Sequence, residues 1–221
     1  MEKYLPVLQA SPLFLGIASD DLHALLHCLS AAAASYDKNS FILRCGERVT
    51  SVGLILTGSA HIIKEDFWGN RNLLSHIEPG QLFAETYACA ADLPLGVSVL
   101  AAEPTAVLFL DVRRILTTCT SACAFHSRLI HNLLSVLAEK NLLLQDKLTH
   151  LTQRTTREKL LSYLSAESVR HGSARFELPF NRQQLADYLS VDRSAMSNEL
   201  GKMREEGLLT FFKNSFELLT Q

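Results

Sequence analysis

A short polar segment near the C-terminus carries side chains that can hydrogen-bond to the edges of nucleic-acid bases. Residues 190–200 read SVDRSAMSNEL, and a helix that begins after Asp192 would bury Met196 and Leu200 on one side. The side chains that then face outward from its first turns are Arg193, Ser194, Ser197 and Asn198. Arginine can bond O6 and N7 of guanine, asparagine can do the same for adenine, and serine can meet either base. This pattern predicts a helix that reads base edges, in preference to an ordinary solvated helix.

Two further polar residues belong to the same candidate surface. Lys202 lies farther along the helix, where an ammonium group suits a backbone phosphate. Gln183 of the preceding segment completes the set of candidate DNA contacts.

The flanking residues predict the elements that hold this segment in place. Asn181 and Gln184 have the spacing of a capping box at the start of one helix, and Ser190-Val191 predicts a tight turn. Asp192 predicts the N-cap of the next helix, which should end at Gly207. The following segment, LLTFFKNSFELL, is typical of a β-hairpin that turns at residues 213–215. Two short helices and a hairpin in this order predict a winged helix-turn-helix.

A helical segment upstream has an apolar line with heptad spacing. The residues of this line, which predict a dimer interface, are Ile130, Leu134, Leu137, Asn141, Leu144 and Leu148. A lone Asn in such a seam fixes the register and favours two-stranded parallel pairing. A second apolar line, Leu129, Leu133, Val136 and Leu143, lies on the neighbouring face and could pack on the β domain. The alternative is a long core helix within a monomer.

The N-terminal half has two different patterns of hydrophobic residues. Residues 4–34 have helical periodicity, with Ser19 as the expected N-cap before two aspartates. From Tyr36 to Asp111, short apolar runs alternate with turn residues about every 8–12 positions, which is typical of a β-sandwich or β-roll.

Composition narrows the class of protein. The chain has 221 residues, of which 48% are hydrophobic and 20% charged, which is enough apolar material for a packed core. The five cysteines include no CxxC pair, and no apolar run approaches the ~20 residues needed to cross a bilayer. The start of the sequence does not have the pattern of a signal peptide, so a cytoplasmic location is expected. The net charge is −2, so overall charge does not favour DNA binding. The hypothesis depends instead on the individual residues of the predicted recognition helix.

Two sets of residues resemble a known family of bacterial transcription regulators. The C-terminal set is LADYLSVDRSAMSNELGKMREEGLL, and the β-rich set includes FILRCGE, VGLILTGSAHIIKED and SVLAAEPTAVLFL. Together they resemble the cyclic-AMP receptor protein and fumarate–nitrate regulator (Crp/Fnr) family over nearly the whole chain. The resemblance implies a homodimer that binds a pseudo-palindromic operator in double-stranded DNA, with one recognition helix per half-site, and that contacts RNA polymerase. It implies no membrane partner.

The expected fold class is α+β, with three parts in the order of that family. Residues 1–118 are expected to form an effector-binding, jelly-roll-like β-roll with N-terminal helices. Residues 119–151 are expected to form the dimerisation helix, and residues 152–221 the winged helix-turn-helix, with a hinge near residues 152–156.

The chain departs from the family's cyclic-nucleotide binders at the effector site. In those proteins a Gly-Glu segment is followed ten residues later by an Arg, which neutralises the cyclic phosphate. Here Glu85 follows Ala84, and Leu95-Gly96 stands where the Arg is expected. An unpaired phosphate in an apolar pocket costs several kcal/mol, so a small apolar or aromatic effector is expected in place of cyclic AMP. The candidate effector-binding residues are Glu85, Thr86, Leu95, Ser98 and Leu133.

Two alternatives stay open. Cys119, Cys123 and His126 lie near the base of the long helix and could form a redox, haem or metal site, although no metal site or certain cofactor is assigned. A jelly-roll enzyme would need converging metal ligands, and the β region offers only His61 and His76. The chain is therefore expected not to be an enzyme.

Overall fold

The computed structural model describes residues 2–69, 71–90, 92–116 and 124–219. The chain divides into two compact units, Met1–Glu139 and Lys140–Gln221, and the boundary falls within the long helix. No helix in the described part of the chain is long and apolar enough to span a membrane.

The first unit is a β-roll with short helices around it. Its helices are α1 (Leu5–Ala10), α2 (Ser19–Cys28), α3 (Glu85–Cys89) and α4 (Val112–Leu116), with two 3-10 turns at Glu2–Tyr4 and Pro12–Phe14. Its strands are β1 (Ala32–Tyr36), β2 (Phe41–Leu43), β3 (Ser51–Thr57), β4 (Ala60–Glu65), β5 (Arg71–Ile77), β6 (Leu82–Phe83), β7 (Ser98–Ala101) and β8 (Thr105–Asp111). They form two four-stranded sheets, ordered β1-β8-β3-β6 and β2-β7-β4-β5.

Two apolar clusters hold this unit together. One lies between the two sheets and includes Ile55, Phe83 and Val107, which are almost fully buried. The other joins the N-terminal helices to the outer face of β3 and β8 and to the start of the long helix. The N-terminal helices thus provide a platform for that helix.

The long helix α5 spans Ala124–Leu151. The second unit continues with α6 (Thr156–His171), β9 (Arg175–Glu177), α7 (Arg182–Leu189), α8 (Arg193–Glu205), β10 (Leu209–Phe212) and β11 (Ser215–Leu218). The last three strands form a sheet in the order β10-β11-β9. Helices α7 and α8 with this hairpin make the winged helix-turn-helix that the sequence predicts, so the predicted fold class is confirmed.

The N-terminal prediction was wrong in two details. Residues 32–34 belong to strand β1, because Ala32, Ala33 and Ala34 pair with β8 and this pairing overrides the helix propensity of alanine. Ser19 is the first residue of α2 and not its N-cap, which is Ala18. The Ser19 hydroxyl accepts a hydrogen bond from the side-chain amide of Gln9 instead.

The junction of α5 and α6 contains a buried histidine. His150 Nδ1 lies 2.8 Å from Ser162 Oγ, and the His150 ring packs edge-on against Tyr163. Burial is the main cause that lowers the pKa of His150 below its ordinary value. The neutral imidazole is therefore the form that fits this junction.

We expect the packing of α6 to weaken as the pH falls below about 6.5, the ordinary pKa of histidine. The unfolded segment then binds a proton more readily than the folded one, so stability is fully present above that pH and decreases toward the lowered folded pKa. Hydrogen exchange of α6 amides, corrected for intrinsic rates, measures the free energy of opening of this helix. His150→Gln should flatten the pH dependence, whereas His131→Gln, at an exposed site on the same helix, should not.

Candidate nucleic-acid interface

Side-chain caps position the two helices of the helix-turn-helix. Asn181 Oδ1 accepts from the Gln184 amide at 3.0 Å, and Gln184 Oε1 accepts from the Asn181 amide at 2.8 Å, as the capping-box spacing predicts. Ser190 turns the chain with φ of 50°. Asp192 Oδ1 accepts from the Ala195 amide at 2.8 Å, and this hydrogen bond is the main cause that lowers the Asp192 pKa. The predicted N-cap of α8 is thus confirmed.

Helix α8 buries one side and exposes the other. Met196, Leu200 and Met203 are at most 1% exposed and pack in the core of the second unit. The candidate base-contacting residues all lie on the exposed side, at Arg193, Ser194, Ser197 and Asn198. A hydrogen bond from the Ser194 side chain to Asp192 adds to the cap, so this hydroxyl already has a partner.

The carboxylates of α8 are held by an arginine of α6. Arg157 Nη1 donates to Glu199 Oε1 at 3.2 Å and to Glu206 Oε1 at 2.9 Å, and this pairing lowers the pKa of Glu206. Lys202 Nζ lies 3.7 Å from Glu199 Oε2 and is itself exposed. The network fixes α8 on α6 and offsets negative charge that would otherwise repel phosphates.

An open cleft of about 810 Å³ lies next to the start of α8. It is lined by the segment before α7, the first residues of α7, Arg193 and the turn of the β10–β11 hairpin. Three cationic residues line it, Arg182, Arg193 and Lys213. The positive end of the α7 helix dipole also favours an anion there. Arg182 and Lys213 are therefore suited to bind a phosphate group at this cleft.

Arg182 is held in this cleft by aromatic rings of the hairpin. Its guanidinium carbon lies 4.7 Å from the Phe211 ring centroid and 4.8 Å from that of Phe216. Burial lowers the Arg182 pKa, and its Nη2 atom is buried without a hydrogen-bond partner among the described residues. Contact with two aromatic rings restricts the positions that the guanidinium can take.

Sequence reasoning missed Arg182 and Lys213 as candidate contacts. Lys213 was predicted only as a turn residue of the hairpin, where it has φ of 53°. Arg182 follows the Asn181 N-cap, and no residue near it in the sequence points to the aromatic rings that contact it in the fold. Gln183 lines the same cleft, and its side-chain amide donates to Asp187 Oδ1 at 2.8 Å.

The predicted dimer residues of α5 differ in exposure within one chain. Leu134, Leu144 and Leu148 are each 60% exposed, and Asn141 is exposed as well. Ile130 and Leu137 are half-buried against the cluster of the N-terminal helices. The heptad line is thus exposed at Leu134 and again from Asn141 to Leu148.

The second apolar line of α5 packs only in part. Leu129, Leu133 and Val136 are buried in the cluster of the N-terminal helices, as expected. The expectation was wrong for Leu143, which is 58% exposed. The buried part of this line ends at Val136.

The candidate effector residues lie around α3 and β7. Ala84, before α3, has φ of 61°, a left-handed conformation that favours glycine. Glu85 and Leu95 are buried, and Thr86 is exposed. The Ser98 hydroxyl accepts from the Cys45 amide at 2.9 Å.

Tyr87 joins these residues, and sequence reasoning missed it. A Cβ added at Gly96 would lie 2.9 Å from the Tyr87 hydroxyl, so this ring borders the position next to Leu95. Leu133 packs in the same cluster as Ala88 and Cys89 of α3. The apolar Leu95 and the neighbouring Tyr87 do not provide the cation that a cyclic phosphate needs.

The candidate redox site is only partly described. Cys119 and Cys123 lie outside the described residues. His126 is 2% exposed, and its Nε2 lies 3.8 Å from Cys28 Sγ. The described residues contain no cluster of three or more His, Cys, Asp or Glu side chains that could hold a metal ion.

Comparison with known families supports the assignment made from the fold and this surface. Residues 33–121 match the model of the cyclic nucleotide-binding domain, and residues 158–220 match that of the Crp-like helix-turn-helix domain. These matches define a DNA-binding transcription regulator with an effector-binding domain. The chain belongs to the Crp/Fnr family. No curated protein sequence is significantly similar to it.

Solved structures of the same architecture share little sequence with the chain. CprK complexed with OCPA has a TM-score of 0.64 and 14% identity, with 90% of this chain and 88% of that chain covered. A mutant of CooA from Carboxydothermus hydrogenoformans has a TM-score of 0.58 and 17% identity, covering 96% and 90%. CLP, the c-di-GMP-responsive regulator of Xanthomonas campestris, has a TM-score of 0.56 and 17% identity, covering 92% and 100%. At these identities the likeness shows the fold alone.

Proposed function

We propose that this protein is a homodimeric transcription regulator that reads a pseudo-palindromic operator and is gated by a small effector that is not a cyclic nucleotide. The observation that carries the proposal is the exposed polar face of α8 beside a cleft with three cationic residues. It acts on chromosomal DNA in the cytoplasm, and RNA polymerase is the partner that its family membership suggests.

The residues around α8 divide into base readers and phosphate binders. Arg193 binds O6 and N7 of a guanine, and Asn198 binds an adenine. Ser197 and Ser194 contact neighbouring bases. The Ser194 hydroxyl either breaks its hydrogen bond to Asp192 to do so, or keeps it and accepts a hydrogen bond from the base. The phosphate binders are Lys202, Arg182 and Lys213, and Gln183 contacts the same backbone.

Two copies pair along α5. The exposed Leu134, Leu144 and Leu148 cover one another in the pair, and Asn141 sets the parallel register. A twofold axis along the helices gives two recognition helices, which suit half-sites about 34–36 Å apart.

The effector binds near α3 and β7, between the roll and the dimer helix. We assign Glu85, Thr86, Leu95, Ser98 and Leu133 to this site, and we add Tyr87, whose hydroxyl approaches Gly96. The effector must bind the DNA-competent arrangement more tightly than the other, since equal affinity shifts no equilibrium. The change is transmitted through α5 to the linker at residues 152–156.

We expect saturating cyclic AMP to leave the melting temperature of the protein unchanged. Leu95 offers no charge to the cyclic phosphate, so binding would leave that phosphate unpaired. Differential scanning calorimetry with and without the nucleotide measures this. A rise in melting temperature that grows with nucleotide concentration would show binding and contradict the proposed effector class.

Selection from a random DNA library by the purified protein tests the proposed function. Inverted repeats should be enriched, and Lys213→Ala should weaken binding to all sequences alike, because its contact is to a phosphate. The slope of log K against log salt should also decrease by about one unit. Glu177→Ala, at an exposed site on β9, is the control. Enrichment of no sequence by the wild-type protein would contradict the proposal.

A further inference from the structure

A cysteine and a buried histidine meet where α2 contacts α5. Cys28 is the last residue of α2 and is exposed, and its Sγ lies 3.8 Å from Nε2 of His126. His126 is 2% exposed, and its Nδ1 has no hydrogen-bond partner among the described residues. An accessible thiol is thus backed by an imidazole that water hardly reaches.

This pairing has the geometry of an activated thiol. An imidazole nitrogen within hydrogen-bonding reach can accept the thiol proton as the sulfur attacks an electrophile. The C-terminal end of a helix is unfavourable for negative charge on the sulfur. Arg114 offsets this effect, because its Nη1 donates to the Cys28 carbonyl at 3.3 Å and brings a positive charge to the helix end.

The other described free cysteines lack these features. Cys45 is exposed, and its backbone amide donates to Ser98; none of the hydrogen bonds between described side chains joins its thiol to an imidazole. Cys89 is half-buried, and burial together with Glu85 raises the pKa of its thiol. Cys28 is therefore distinguished by its surroundings and not by exposure alone.

We infer that Cys28 is a site of two-electron oxidation by hydroperoxides, with His126 as its general base. The thiol proton passes to His126 Nε2, and the sulfur attacks the terminal oxygen of the peroxide. The S–O bond forms as the O–O bond breaks, and the leaving hydroxide or alkoxide takes the proton from the imidazolium. Sulfur is oxidised to a sulfenic acid, and the peroxide is reduced to water or an alcohol.

The location connects this chemistry to the long helix. On α5, Asn132 Nδ2 donates to the Leu13 and Leu15 carbonyls, each at 2.9 Å. The N-terminal helices therefore contact the start of α5 at two places, through these hydrogen bonds and through the Cys28–His126 contact. A sulfenic oxygen on Cys28 would enter and alter the second of these contacts. Any effect of oxidation on operator affinity rests on the proposed function, whereas the reactivity of Cys28 does not.

Peptide-level mass spectrometry tests this inference without DNA. The full-length reduced protein is treated with hydrogen peroxide in the presence of dimedone, which traps sulfenic acids, and labelling of each cysteine is followed over time. Cys28 should be labelled at least about tenfold faster than Cys45 in the same molecule, the internal control. Equal rates at the two cysteines in the wild-type protein would overturn the inference.

A variant then tests the role of His126. In His126→Gln, labelling of Cys28 should fall toward the rate of Cys45, while the rate at Cys45 stays unchanged and reports an intact fold. Fast labelling of Cys28 that persists in a folded His126→Gln protein would exclude the imidazole as the base. If operator binding fails in the reduced wild-type protein while Cys28 labels fast, the proposed function fails and the oxidation site stands.

Discussion

Replacing Arg193 by alanine is expected to weaken binding to the selected operator by about 1–3 kcal/mol, roughly a five- to 150-fold loss of affinity. Arg193 is exposed on the first turn of α8 and takes no part in the ion pairs or hydrogen bonds described between side chains. Its bidentate bond to guanine is therefore made without breaking a contact inside the protein. The preference for guanine at one position of each half-site should disappear together with the affinity.

Lys202→Ala is the matched control for this experiment. It removes the same charge from the same exposed helix, but at a position suited to a phosphate. We expect it to weaken binding to all sequences equally and to leave the base preference intact. Competition binding against operators with single base changes separates the two effects. If Arg193→Ala lowers the affinity for all operators equally and leaves the preference for guanine unchanged, Arg193 binds a phosphate and does not read a base.

The second large effect is expected at the exposed leucines of α5. Leu144→Glu should convert the dimer to a monomer of 24.6 kDa in sedimentation equilibrium. Two buried leucines are lost per dimer, about 3–6 kcal/mol, and a carboxylate is placed in an apolar seam. The dimer Kd should rise by more than about a hundredfold.

Leu142→Glu is the matched control for the dimer. Leu142 is 59% exposed and Leu144 is 60% exposed in one chain, so a carboxylate at either site is equally tolerated by the monomer. Leu142 lies off the heptad line, and its variant should remain a dimer. Dissociation by both variants, or by neither, would contradict pairing along this line.

The sequence was most informative where structure depends on neighbouring residues. The caps at Asn181 and Asp192 and the hairpin turn after Phe212 were all predicted correctly, because each depends on residues within a few positions. The order of β-roll, long helix and winged helix-turn-helix was predicted as well, since hydrophobic periodicity changes at each boundary.

What could not be predicted depends on contacts between distant residues. The alanines of β1 have high helix propensity, and only their pairing with β8 makes them a strand. Arg182 resembles any polar residue at a helix start until Phe211 and Phe216 are brought beside it. Cys28 and His126 are separated by 98 positions in the chain, so no local pattern could join them.

In the proposed dimer, the exposed line on α5 would link two DNA-binding units so that both can contact one operator. A single winged helix-turn-helix contacts one half-site, and the affinity for two half-sites is combined only if the two copies are linked. Loss of the dimer by Leu144→Glu should therefore also reduce operator binding, although the α8 surface is unchanged.

The most direct test of the proposed function is the stoichiometry of the protein on a selected inverted-repeat operator, measured by native mass spectrometry. Two copies per duplex are predicted, with half-sites separated by one helical turn and with each half-site containing the guanine that depends on Arg193. Saturation at one copy per duplex, or equal binding to a duplex in which one half-site is scrambled, would contradict a dimer that reads a two-fold symmetric site.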